Sequence, residues 1–158
     1  MRRHLRARRF GRWAAAAAFA ALPSVASAQV QINALSDLAF GSLPTTGADQ
    51  TQTESVCAVS GLLGGRYSVT ATGSASGAFA LANGSNLLPY EVQWASSGGQ
   101  SSGTNLTAGS TLTGQTAPLL NCALGASATL IVIIRGTQIV KAAAGSYSGT
   151  LTIILSAS

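Results

Sequence analysis

The sequence predicts an all-β fold of sandwich or barrel type behind a cleaved leader, and three observations carry that prediction. Short alternating or β-branched apolar runs recur at spacings of about eight to twelve residues. Clusters of Gly, Ser, Asn and Thr separate those runs, and helical periodicity is nearly absent beyond the leader. The third observation is a sharp division of charge between the two ends of the chain.

Six of the nine basic residues (Arg2, Arg3, Arg6, Arg8, Arg9 and Arg12) and the only histidine, His4, fall in the first twelve positions. Trp13 to Leu22 is almost wholly apolar, Pro23 breaks it, and Ser24 to Ala28 is a run of small residues. This three-part plan predicts a secretory signal peptide over residues 1–28, cut between Ala28 and Gln29 after an Ala-x-Ala pattern. The apolar stretch is about half the 20 residues that span a bilayer, so stable membrane insertion is not expected once the leader is removed. Arg8-Arg9 ahead of Phe10 raises a twin-arginine route, but its neighbours fit that pattern poorly. The expected location is outside the cytoplasm: periplasm in transit, then cell surface or medium.

Cleavage leaves residues 29–158 as one domain of 158 − 28 = 130 residues, enough to bury a core. Its charges are Arg66, Arg135 and Lys141 against Asp37, Asp49, Glu54 and Glu91, a net of 3 − 4 = −1. The overall basicity therefore belongs to the leader, and nothing remains to neutralise a row of phosphates, so nucleic acid is not an expected partner. Cys57 and Cys122, an even count in an exported chain, predict one disulfide. Closing a loop of that length would stabilise the fold by roughly 4 kcal/mol in the chain-entropy model. A metal-binding or reactive pair is the weaker alternative, since neither histidine nor C-x-x-C spacing accompanies them.

Taken in order, the elements read as follows. Val30 to Leu35 is the first strand, and Leu38-Ala39-Phe40-Gly41 is a second short run. A polar loop, Pro44 to Thr53, leads into a strand at Ser55 to Val59. Gly61, Gly64 and Gly65 turn the chain into Arg66 to Ala71, where Tyr67, Val69 and Ala71 share a face. Ala78 to Leu81 is followed by Asn83-Gly84, a tight-turn signal. Leu88 to Trp94 places Tyr90, Val92 and Trp94 inward and Glu91 and Gln93 outward. Tyr90 and Trp94 could stack on a sugar, but core filling is the stronger reading. Ser96 to Gly103 reads as a flexible surface loop, and Leu106 and Leu112 flank a turn. Ala128 to Ile134 is apolar on both faces, as suits a central strand. Gln138 to Val140, a turn, and Tyr147 to Leu155 close the chain, with a short helical turn as an option at Lys141 to Ala144.

Candidate chemistry is sparse. The exported part has no histidine, which removes Ser-His-Asp and Cys-His arrangements and histidine-metal sites. A glycosidase pair would have to come from the four carboxylates, which read as solvated surface groups. Leu43 to Gly47 has the form of a sortase signal but stands far from the C-terminus, and Asn83-Gly84-Ser85 and Asn105-Leu106-Thr107 read as turns rather than glycosylation sites. No enzyme activity, cofactor or metal is expected.

Five segments in order, Asp37 to Ser42, Val56-Cys57, Arg66 to Ala71, Leu88 to Trp94 and Gly145 to Thr152, resemble the spore coat protein U domain family, which includes subunits of archaic chaperone-usher pili. The similarity spans almost the whole exported part. It implies an immunoglobulin-like β-sandwich lacking one strand, held by a periplasmic chaperone, passed to an outer-membrane usher and completed by an extension from another pilus subunit. That process is strand addition at an open sheet edge, and Val30 and Ile32 alternate with polar residues as a donor strand should. Typical members pair a cysteine of the first strand with one of the second, whereas here Cys57 has only Cys122. The expected role is a structural or adhesive fimbrial subunit; the alternative is a stand-alone secreted adhesive or ligand-binding domain of the same fold.

Overall fold

A computed structural model describes residues 30–33, 35–60, 65–117 and 125–158. The leader, the cleavage site Ala28/Gln29 and Cys122 lie outside the described residues. Among those described, no helix is long and apolar enough to cross a membrane.

The protein is an all-β sandwich. One sheet is built from β1 (Val30–Asn33), β2 (Gln50–Ser60), β6 (Glu91–Ala95), β7 (Thr104–Asn105) and β9 (Ala128–Ile134), in the order β1-β2-β9-β6-β7. The other holds β3 (Arg66–Gly73), β8 (Thr111–Thr116) and β10 (Leu151–Ala157), in the order β10-β3-β8. A hairpin of β4 (Ala80–Asn83) and β5 (Asn86–Pro89) stands apart from both. All strand pairs are antiparallel, and one short helix, α1 (Gly136–Ile139), follows β9.

The run predicted to be central is central. Strand β9 pairs with β2 on one side and β6 on the other, and all seven of its residues are buried. Strand periodicity divides them: Leu130, Val132 and Ile134 join the core between the sheets, and Thr129, Ile131 and Ile133 face the other way. The Ser/Gly segment read as a flexible loop helps to cover that outer face. Gly99 N–H donates to Ser55 Oγ at 3.2 Å, Gln100 N–H to Thr129 Oγ1 at 3.1 Å, and Thr129 Oγ1 to the Ser97 carbonyl at 2.7 Å. An apolar outer strand face needs a cover, and the loop's backbone amides find partners there.

The two sheets are joined through aromatics. Trp94 of β6 and Tyr67 of β3 are both fully buried and meet edge-to-face with ring centroids 6.3 Å apart. Trp94 Nε1–H donates to Tyr67 Oη at 3.0 Å, which satisfies two polar atoms in the middle of the core. Tyr90 stacks on Phe79 at 5.8 Å. Tyr90, Val92 and Trp94 thus point inward as the alternation predicted, and the two large aromatics fill core rather than form a sugar platform.

Several boundaries move. β2 starts at Gln50, because the segment read as a polar loop extends the ladder against β9 from Gln50↔Ile134 to Val56↔Ala128. Leu88 to Trp94 divides at Tyr90, whose amide donates to the Phe79 carbonyl in register with the β4–β5 ladder before the chain passes on to pair with β9. Leu106 and Leu112 flank a turn at Thr107 to Ser110 as read, with Thr111 to Thr116 forming a strand after it, and Gln138 to Val140 belongs to the α1 turn. The Asn83-Gly84 signal marks a real hairpin, with Asn83 opposite Asn86 and Gly84 at φ +60° as the first of two loop residues. Ser85 keeps a negative φ, so the turn belongs to the type with glycine first.

Candidate functional site

A groove with an apolar floor and a volume of about 930 Å³ opens among the described residues. Its floor is the core face of β9, Leu130, Val132 and Ile134, with Leu81, Leu88 and Tyr90 beside it. One lip is the segment 35–45, and the other is the stretch from Ile139 through Tyr147 to Leu151 and Ile153 of β10. Asp37 is the only charged residue in the described lining.

Each lip owes its place to alternation. Leu38, Phe40 and Leu43 turn half-buried side chains onto the core, while Ala39 and Gly41 face away. The segment predicted as a short strand at Leu38 to Gly41 therefore packs like one, yet its backbone pairs with no strand among the described residues. Two side-chain bonds hold it to β2: Ser36 Oγ donates to Glu54 Oε1 at 2.8 Å, and Gln52 Nε2 donates to the Ala39 carbonyl at 3.4 Å. In β10, Leu151, Ile153 and Leu155 are half-buried against the core and Thr152, Ile154 and Ser156 are exposed.

Strand β10 pairs with β3 from Leu151↔Gly73 to Ala157↔Tyr67, and no described strand pairs with its other edge. Ser74 N–H donates to the Thr150 carbonyl and Ser158 N–H to the Arg66 carbonyl, which fixes the phase of the ladder. Alternation then directs the amides of Thr152, Ile154 and Ser156 toward β3 and those of Leu151, Ile153 and Leu155 away from it, along the unpaired edge. A groove whose wall offers both apolar side chains and a row of backbone donors and acceptors fits an extended peptide.

Other edges are poorer templates. β7 has two residues. β8 is interrupted at Gly114, which has φ +75°, and its register against β3 shifts between Tyr67 and Val69. Bulges and short edges are common devices against unwanted pairing. β10 has neither: it is seven residues long, without proline, glycine or charge.

The ionisable groups gather elsewhere. Arg135, just after β9, bonds Glu91 through both Nε (2.9 Å to Oε1) and Nη2, and bonds Asp49 Oδ2 through Nη1 at 2.8 Å. Asp49 Oδ1 accepts from Gly136 N–H at 2.8 Å. The Gly136 amide first, and then Arg135, hold the Asp49 carboxyl below its usual range; Arg135 does the same for Glu91 and is itself raised by both. Burial pushes the Tyr67 and Tyr90 phenols up, Tyr67 being partly offset by its bond from Trp94. Of the four carboxylates seen in the sequence, Asp49 and Glu91 come together on one guanidinium, Glu54 meets Ser36, and Asp37 sits on the groove rim. Both carboxylates of the trio favour the ionised form, the opposite of a general acid's requirement. No group of three metal-ligating side chains occurs among the described residues. Cys57 is half-buried on β2, on the face opposite Val56 and Ala58.

Neither a protein-family model nor a curated protein matches the chain. Among solved structures it is similar to a chain from work entitled "Chaperone-tip adhesin complex is vital for synergistic activation of CFA/I fimbriae biogenesis", with a TM-score of 0.56 and 16% identity. The match covers 82% of this chain and 41% of that one, so this chain spans under half of its neighbour's length. What the two share is the fold.

Proposed function

We propose that the chain is a non-enzymatic structural or adhesive subunit of a surface fimbria of the chaperone-usher type, completed by a strand from outside its own sandwich. The observation that carries this reading is the unpaired, uncharged edge of β10 beside an apolar groove floored by core residues. Leu130, Val132 and Ile134 are already buried beneath the groove, and an alternating extended segment laid over it would cover the half-buried Leu151 and Ile153 and satisfy the edge amides together. The likeness to a chain from a fimbrial chaperone and tip-adhesin complex, and the resemblance in the five sequence segments, support the same role. On this reading the partners are a periplasmic chaperone, an usher and neighbouring subunits, and the route is export through a signal peptide cut after Ala28.

A stand-alone secreted adhesive domain is the second reading, favoured by β1. Val30 and Ile32 already pack on the core from a strand paired with β2, so this segment is not held out for a neighbour.

Thermal unfolding of the exported protein with a synthetic peptide of residues 29–35 tests the first reading. At a hundredfold excess over its dissociation constant the peptide should add about 2.7 kcal/mol and raise Tm by about 10 °C, and a scrambled peptide of the same composition should not. Equal, small shifts with both peptides would favour the stand-alone domain.

A further inference from the structure

The two lips of the groove start from one point. Going backward from Asp49 the chain leads into the lip 35–45; going forward from Arg135 and Gly136 it leads into the lip that begins at Ile139. At that point Asp49 takes both the Arg135 guanidinium and the Gly136 amide, and Arg135 reaches across to Glu91 at the start of β6. Gly136 lies so close to the Gly47 carbonyl that a Cβ would collide with its oxygen, and Val140 lies beside Gly47. Elsewhere each lip is tied to its own surroundings: segment 35–47 to β2 through Ser36 and Gln52, and the tail to β4 through the backbone pair Ala82–Ser148. Among the described residues, no other hydrogen bond or ion pair links the region of one lip directly to that of the other.

We infer that Arg135 is a positioning residue for the groove: with Asp49 and Glu91 it pins both lips to the rigid end of β9 and so sets the gap an incoming strand must fit. An isolated exposed ion pair would do little. This one is bidentate to Glu91, shared with a second carboxylate and continued into a backbone amide, which fixes geometry as well as charge. Loss of the guanidinium frees the lips without uncovering the Trp94–Tyr67 core, which lies away from the trio. The inference rests on the strand-acceptor reading, and it adds that the width of the acceptor is controlled from a site no donor residue touches.

The test compares the full exported protein with its Arg135→Met and Arg135→Lys forms, by amide hydrogen exchange without peptide and by release of the 29–35 peptide. In Arg135→Met, the hydrogen-bonded amides of Gly136, Gln138 to Ala142 and Ser148 should exchange at least tenfold faster while those of β3 stay unchanged, and peptide should leave at least tenfold faster. Arg135→Lys, which keeps the charge but loses the fork, should fall between. If Arg135→Met does not fold, Asp49→Asn is the second variant, with the same expectation at the lips. An equal loss of protection in β3, unchanged lips, or looser lips with unchanged peptide release would each overturn the inference and leave the strand-acceptor reading standing. Failure of the unaltered protein to bind the peptide would remove that reading and this inference with it.

Discussion

At the scale of single residues, the core is legible in the sequence where alternation is clean. Tyr67, Val69 and Ala71, and Tyr90, Val92 and Trp94, all face inward as read, because a strand with one buried side leaves no other register. What the sequence could not disclose is the pairing of Trp94 with Tyr67, 27 positions away, since no local pattern encodes a contact between sheets. Tyr67→Phe removes the acceptor and strands a buried indole N–H, so chemical denaturation should register a loss of about 1–3 kcal/mol. The partners of Arg135 are not legible either. Its signal was its rarity, one of three basic residues after the leader, placed directly behind a fully apolar strand. The Asp49 and Glu91 carboxyls titrate lower in the folded protein than in the unfolded chain, so their stabilising effect is complete above the unfolded pKa of about 4 and fades as pH falls below it. Urea midpoints between pH 7 and pH 2.5 should show an acid-sensitive component that Arg135→Met reduces, leaving the part that the Gly136 amide gives Asp49.

Elements were readable to the extent that side-chain patterns, rather than tertiary partners, define them. β9 is legible with its boundaries because its β-branched content argues for a strand over a buried helix. β2 was cut short because Gln50 to Thr53 is polar on both faces, and only its ladder with β9 makes it a strand. The segment Leu38 to Gly41 has a strand's alternation without a strand's hydrogen bonds, and its apolar face is one lip of the groove. In β10 the alternation of Leu151, Ile153 and Leu155 is plain in the sequence, but the unpaired edge is not, because strand pairing is a property of topology. Ile153→Asn should therefore weaken the 29–35 peptide by roughly 10- to 100-fold, the loss of about 1.5–3 kcal/mol of apolar burial. Thr152→Asn, on the outer face, should leave affinity within about twofold; calorimetric titration of both variants checks the pair.

For the molecule as a whole, the fold class is legible in the sequence through strand spacing and the clusters of turn residues between the strands. The groove emerged only when the chain was closed into two sheets, since its floor, lips and free edge come from residues spread between positions 35 and 153. Export and oxidation belong to this scale too: mass spectrometry of the exported protein, alkylated before and after reduction, should find Cys57 and Cys122 joined and Gln29 at the N-terminus. Two free thiols would contradict the disulfide, and an unprocessed leader would contradict the export route.

The open edge of β10 is the claim on which function turns, and residue-resolved hydrogen exchange measures it directly. In the free protein the amides of Leu151, Ile153 and Leu155 should exchange rapidly while those of Thr152, Ile154 and Ser156 are protected by β3, and the 29–35 peptide should slow the first set at least tenfold and leave the second unchanged. Slow exchange of Leu151, Ile153 and Leu155 before any peptide is added, or no change in them when it binds, would contradict the account.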